Sequence, residues 1–171
     1  YSYQVLYLYL QYVYCSRFIN FSEIDNIIEI GPGAGRQVEI IKKFHPHINF
    51  YLLDIGPTLY LCHQYLKTIF QDSFISYNET REKKIIQIKE KGKIVCLGNW
   101  QLNSILPIGK TLSFNATVFN LMAPDTAKRY FDHIKKFADY IYLLESRLDQ
   151  PKDIYNLKDS TCFEDFEKIL I

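Results

Sequence analysis

Hydrophobic and polar positions along this chain switch repeatedly between two periods. Asn26–Ile30 is a short apolar run stopped by Gly31-Pro32-Gly33, the pattern of a strand buried on both faces that ends in a tight loop. From Arg36 the spacing becomes helical, with Val38, Ile41 and Phe44 on one side, until His45-Pro46 breaks it. Residues 49–53 repeat the strand pattern and end at Asp54. Gly56-Pro57-Thr58 then opens a helix with Leu59, Cys62, Tyr65, Leu66 and Ile69 on one face. Residues 93–97, 112–119 and 140–144 read as three further strands. They lead respectively into Gly98-Asn99-Trp100, a helix beginning at Pro124, and Glu145. Between them, 72–78 reads as polar loop. The charged stretch 79–91, with a weak stripe through Ile85, Ile86 and Ile88, reads as a solvated helix.

Strand and helix in alternation predict an α/β fold with a doubly wound, mostly parallel sheet. Residues 1–22 are expected to form a helical segment packing on a core of 23–171. Beyond the fifth strand only a short helix over 162–171 is predicted, and no sixth or seventh strand is evident. The core is therefore expected to be incomplete at its C-terminal end, and the chain begins with Tyr1 rather than Met.

Composition narrows the classes of function. A length of 171 residues suits one domain, and 48% hydrophobic with 23% charged residues is ordinary for a globular protein. Twenty basic against nineteen acidic residues give a net charge of +1, no field for a polyanion, so nucleic acid is not an expected partner. The apolar opening stretch is interrupted by Gln4, Gln11, Ser16 and Arg17 and has no basic leader, so a soluble helix is expected rather than a membrane anchor. Cys15, Cys62, Cys96 and Cys162 form no C-x-x-C pair, which fits a reducing cytoplasm. His45-Pro46-His47 lacks the acidic cluster that would complete a metal site, and no metal is predicted.

Parallel strands joined by crossover helices gather their loops at one edge, where ligands bind. The first such loop is Gly31-Pro32-Gly33-Ala34-Gly35, in which absent side chains let main chain and a helix N-terminus approach a ligand. A dinucleotide loop, G-x-G-x-x-G, would need its third glycine at position 36, which is Arg36. The spacing here is G-x-G-x-G, with Glu29 shortly before it. Asp54 ends the second strand, where an acceptor-only carboxylate could hold two ligand hydroxyls. Its competing role is a cap for the helix near Pro57. Trp100, the single Trp, could pack on a ligand ring or cap the core.

The segments IIEIGPGAGR, YLLDIGPTLYLCHQYL, IVCLGNW, SFNATVFNLMAPDTAKRYF and IYLLES, spanning roughly 26–146, resemble the sugar O-methyltransferase family of class I S-adenosylmethionine-dependent methyltransferases. The resemblance implies a Rossmann-like methyltransferase core. It implies cofactor contacts at Glu29, Gly31, Gly33, Gly35 and Asp54, with Asn99 and Trp100 in the loop that holds adenine. Asn115, Phe119 and Asn120 would lie at the fourth-strand end facing the transferred methyl group. The expected acceptor is a small molecule, a sugar hydroxyl, which Asn120 would orient and Glu145 would deprotonate. An amide cannot itself take the proton. Glu145 could instead pair with Arg147, and His63 and His133 fall on helices away from the strand-end loops. Two other readings remain open: a nicotinamide-dependent oxidoreductase, and an inactive cofactor-fold module that docks a partner through its aromatic first helix.

Overall fold

The computed structural model describes residues 2–144. Helix α1 (Tyr3–Ser16) leads through a turn into β1 (Asn26–Ile30). The chain continues as α2 (Arg36–Phe44), β2 (Asn49–Asp54), α3 (Gly56–Ile69), β3 (Phe74–Ile75), α4 (Tyr77–Thr80), β4 (Ile94–Gly98), β5 (Thr111–Ala116), α5 (Pro124–Ile134) and β6 (Tyr140–Leu144). These strands form one sheet in the order β3-β4-β2-β1-β5-β6, with every pair parallel. The chain builds outward from β1 to one edge and then returns to the other side of β1 with β5. In open α/β sheets ligands bind in a crevice at such a reversal, which here falls at the carboxyl ends of β1 and β5.

Alternation along the strands sorts the core into two layers. Ile27, Leu52, Cys96 and Phe114 face Cys15 of α1, Val38 and Ile41 of α2, and Cys62 and Leu66 of α3. Ile28, Tyr51, Leu53 and Val95 face the opposite way, toward Ala127, Phe131 and Ile134 of α5. Both faces are covered, which is why the strands read as unbroken apolar runs. Helix α1 is fastened to α2: the Tyr12 ring stacks on Phe44 with centroids 5.2 Å apart, and its hydroxyl meets Nε2 of His45 at 3.0 Å. Arg36 donates to Oε1 of Gln4 at 2.9 Å. His45 thus belongs to aromatic packing.

Three local expectations are corrected. The charged stretch 79–91 is not a helix beyond Thr80. Ile86 and Ile88 are buried while Ile85 is 59% exposed, and the segment runs extended beside 104–106, with Ile86 N–H donating to Ser104 O and Leu106 N–H to Ile86 O. The expected polar loop 72–78 contains β3, which pairs with β4. The strand predicted over 112–119 ends at Ala116, because Thr117 turns left-handed at φ 56° and a short 3-10 turn, Phe119–Leu121, follows. The helix expected over 162–171 lies outside the described residues. No described helix is long and apolar enough to cross a membrane.

Besides its backbone bonds the extended segment is fastened by a buried hydroxyl: Ile88 N–H donates to the Tyr51 hydroxyl at 2.8 Å. Tyr51→Phe removes the acceptor and leaves a buried N–H without a partner. It should cost about 1–3 kcal/mol in urea denaturation, and a loss near zero would show that the segment is not fastened there.

Candidate active site

The loop after β1 curls through three left-handed glycines, at φ +72° for Gly31, +56° for Gly33 and +79° for Gly35. Backbone bonds from Gly31 N–H to Leu53 O at 2.8 Å and from Gly35 N–H to Pro32 O at 2.9 Å fix the curl. A Cβ on Gly31 would lie 2.3 Å from Cγ2 of Val118, and one on Gly35 would lie 2.8–2.9 Å from Leu66 and the Cys62 sulfur. At Gly33 a Cβ would meet nothing within 4 Å. Gly31 and Gly35 are therefore demanded by protein packing, whereas Gly33 borders open space. In the first turn of α2, Gln37 is 4% exposed, and neither its amide nitrogen nor its oxygen has a hydrogen-bond partner among the described residues.

Asp54 ends β2 half-buried. Its carboxylate accepts from Ile55 N–H at 2.7 Å, and the Gly33 amide also favours its charged form. Burial raises its pKa, and the two amides pull it back. The N-cap of α3 is Ile55, with no side-chain capping bond, so Asp54 does not cap the helix. Glu29 is only 6% exposed, and burial, reinforced by the charge of Asp54, pushes its pKa up to about 8.

After β4, Asn99 and Trp100 are exposed, and the indole lies across Gly98, where a Cβ would come within 2.3 Å of it. Gln101 pins this loop, accepting from Gly98 N–H at 3.1 Å and donating to Thr80 O at 3.2 Å. A cavity of about 460 Å³ adjoins it, lined by Asn99, Trp100, Arg129, Tyr130, His133 and Lys136 among others.

At the end of β5 the expected contacts divide. Asn115 is fully buried: its Oδ1 accepts from Ile30 N–H at 3.1 Å and its amide donates to Ser113 Oγ at 2.7 Å, clamping β5 to β1. Phe119 is also fully buried, its ring 4.6 Å from Phe131 and 6.3 Å from Tyr130. Both side chains are spent on the interior and do not face the crevice. Asn120 is half-buried, and its Oδ1 is enclosed without a hydrogen-bond partner among the described residues. Glu145 lies outside the described residues. His63 packs on Phe74 at 5.0 Å and His133 meets Phe137 edge-on at 5.1 Å. Among the described residues no group of three His, Cys, Asp or Glu side chains is arranged to hold a metal.

Sequence reasoning did not single out Gln37, Gln101 or Val118. Gln37 had a readable signal, a polar residue one turn before Ile41 on the core side of α2. Gln101 and Val118 act through contacts that no local pattern encodes.

The architecture is the Rossmann-like fold of class I methyltransferases. The mitomycin 7-O-methyltransferase MmcR superposes with a TM-score of 0.60 at 13% identity over 94% of this chain and 46% of its own. PigF, solved with S-adenosylhomocysteine, gives 0.57 at 16% identity over 90% of this chain and 45% of its own. The magnesium protoporphyrin IX methyltransferase ChlM from Synechocystis PCC 6803, also solved with bound S-adenosylhomocysteine, gives 0.61 at 13% identity over 98% of this chain and 71% of its own. The chain thus spans about half the length of the first two. No family model and no curated protein matches it.

The glycines should separate in stability. Gly33→Ala should cost about 1–2 kcal/mol from left-handed strain alone, while Gly31→Ala should cost more, because Val118 must also move. Equal losses in thermal denaturation would contradict the packing assigned to Gly31. Glu29 should give the ligand-free protein a characteristic pH dependence. The fold favours its neutral form, so that contribution is complete below the ordinary glutamate value of 4.5, declines as pH rises, and is gone above about 8. Glu29→Gln should therefore melt several degrees higher than the native chain above that pH and gain little at low pH. A pH-independent difference would sink this assignment.

Proposed function

We propose that this protein transfers a methyl group from S-adenosylmethionine to a hydroxyl of a sugar or sugar-containing small molecule. The observation that carries the donor half is the half-buried Asp54 at the end of β2 together with the open space beside Gly33 at the strand-order reversal. Such a corner suits a ligand with vicinal hydroxyls and a backbone-hugging tail. When bound, S-adenosylmethionine supplies an electrophilic methyl group on a sulfonium.

The chain's own groups have distinct tasks in this reading. Asp54 accepts hydrogen bonds from the ligand hydroxyls, and Gly33 presents main chain without a side chain in the way. Asn99 and Trp100 offer an amide and an exposed ring for a flat base. Asn120, whose enclosed Oδ1 lacks a donor, accepts a hydrogen bond from the acceptor's hydroxyl and fixes its orientation. Glu145, the residue following β6, takes the hydroxyl proton. The sugar acceptor is supported by the resemblance around Asp54 and by the unmet oxygen of Asn120. A nicotinamide-dependent oxidoreductase is disfavoured by Arg36 standing where its loop needs glycine.

Calorimetry with S-adenosylhomocysteine and with NAD, followed by methyl-transfer assays on sugar acceptors, tests this reading. Asp54→Ala should lose about 2 kcal/mol of binding, roughly thirtyfold in affinity for S-adenosylhomocysteine. Tighter binding of NAD, or unchanged affinity in a folded Asp54→Ala protein, would reject the assignment.

A further inference from the structure

Glu29 is a carboxyl group more than nine-tenths buried at the floor of the crevice, and no hydrogen bond or ion pair from a described residue reaches it. The register of β1 on β2 pairs Glu29 with Leu52, so Asp54, two residues on, shares its face of the sheet. The same face carries Cys96 of β4, is roofed by Cys62 of α3, and continues through Phe114 of β5 to Tyr142 of β6, which lies near Cys15 of α1. Among the described residues Asp54 is the charge that acts on Glu29. The cations of α2 are engaged elsewhere: the buried Lys42, over the Phe50 ring of the same layer, donates to Pro46 O and Gly92 O, while Arg36 pairs with Gln4 and Lys43 with Glu39. Two carboxylates without a cation cannot both stay charged in such a place.

We propose that in the ligand-free protein Glu29 is protonated beside Asp54, and that a ligand bringing an ammonium group displaces this proton into solvent. The inference rests on the methyl-donor reading. In the exchange the carboxyl O–H bond breaks, its electron pair stays on Glu29 as a carboxylate facing the ammonium, and one proton is released per ligand bound. Glu29 thereby acts as a charge selector: a ligand with the donor's amino-acid tail gains an ion pair that an uncharged nucleoside cannot offer. The pKa of about 8 agrees with this protonation state at neutral pH.

Calorimetry at about pH 7 in two buffers of different ionisation enthalpy counts the protons. S-adenosylhomocysteine, which carries the ammonium, should release close to one proton, and 5′-methylthioadenosine, which lacks the amino-acid tail, should release none. Affinity for S-adenosylhomocysteine should rise by about tenfold per pH unit between about pH 6 and 8. Glu29→Gln, close in shape to the neutral acid, should bind without proton release and without that slope. Binding of both ligands with no proton release, or equal release by both, overturns the inference while leaving the methyl-donor reading intact. Binding of neither overturns both.

Discussion

A parallel sheet covered on both faces leaves little room for polar side chains along its strands, because each would need a partner inside an apolar layer. Here the polar side chains of the strands sit at their two ends. Asn26, Asn49 and Thr111 satisfy one another and nearby main chain at the amino ends of β1, β2 and β5. At the carboxyl ends the accounts stay open among the described residues, with Glu29 unpaired, Asp54 half-solvated and the oxygen of Asn120 unmet. The glycine loop, the acid and the crevice therefore follow from one packing rule together with the reversal of strand order.

That rule also explains what could be read from the residues. β1, β2 and β4 were legible because two-sided burial writes an uninterrupted apolar run ended by Gly or an acid, and the edge strand β6 because its own run is apolar although only partly buried. Asp54 was legible because it breaks such a run. The stretch 79–91 misled because its three isoleucines are flanked on both sides by charged residues. Ile86 and Ile88 alternate inward as in a strand, while adjacent Ile85 faces solvent and imitates a helical stripe. β3 escaped notice because two residues are too few to show any period.

The end of β5 was the hardest part to read. Asn115 looked like a ligand contact by position, yet it satisfies the Ile30 amide, a bond between residues far apart in the chain. Phe119 follows the left-handed Thr117, and that turn rotates it into the core. Neither the partner of Asn115 nor the turn at Thr117, a residue type that rarely adopts positive φ, is announced locally.

The contact between Gly31 and Val118 has a consequence for how such a site can change over generations. The glycine loop after β1 and the loop after β5 meet with no spare volume between them. A lineage that enlarges the second loop presses on the first, and drift in the first is checked by the second. Substitutions on the two loops should thus be contingent on one another, each tolerated only on backgrounds where its neighbour has already yielded, so the shapes of the two loops are inherited as a joint trait.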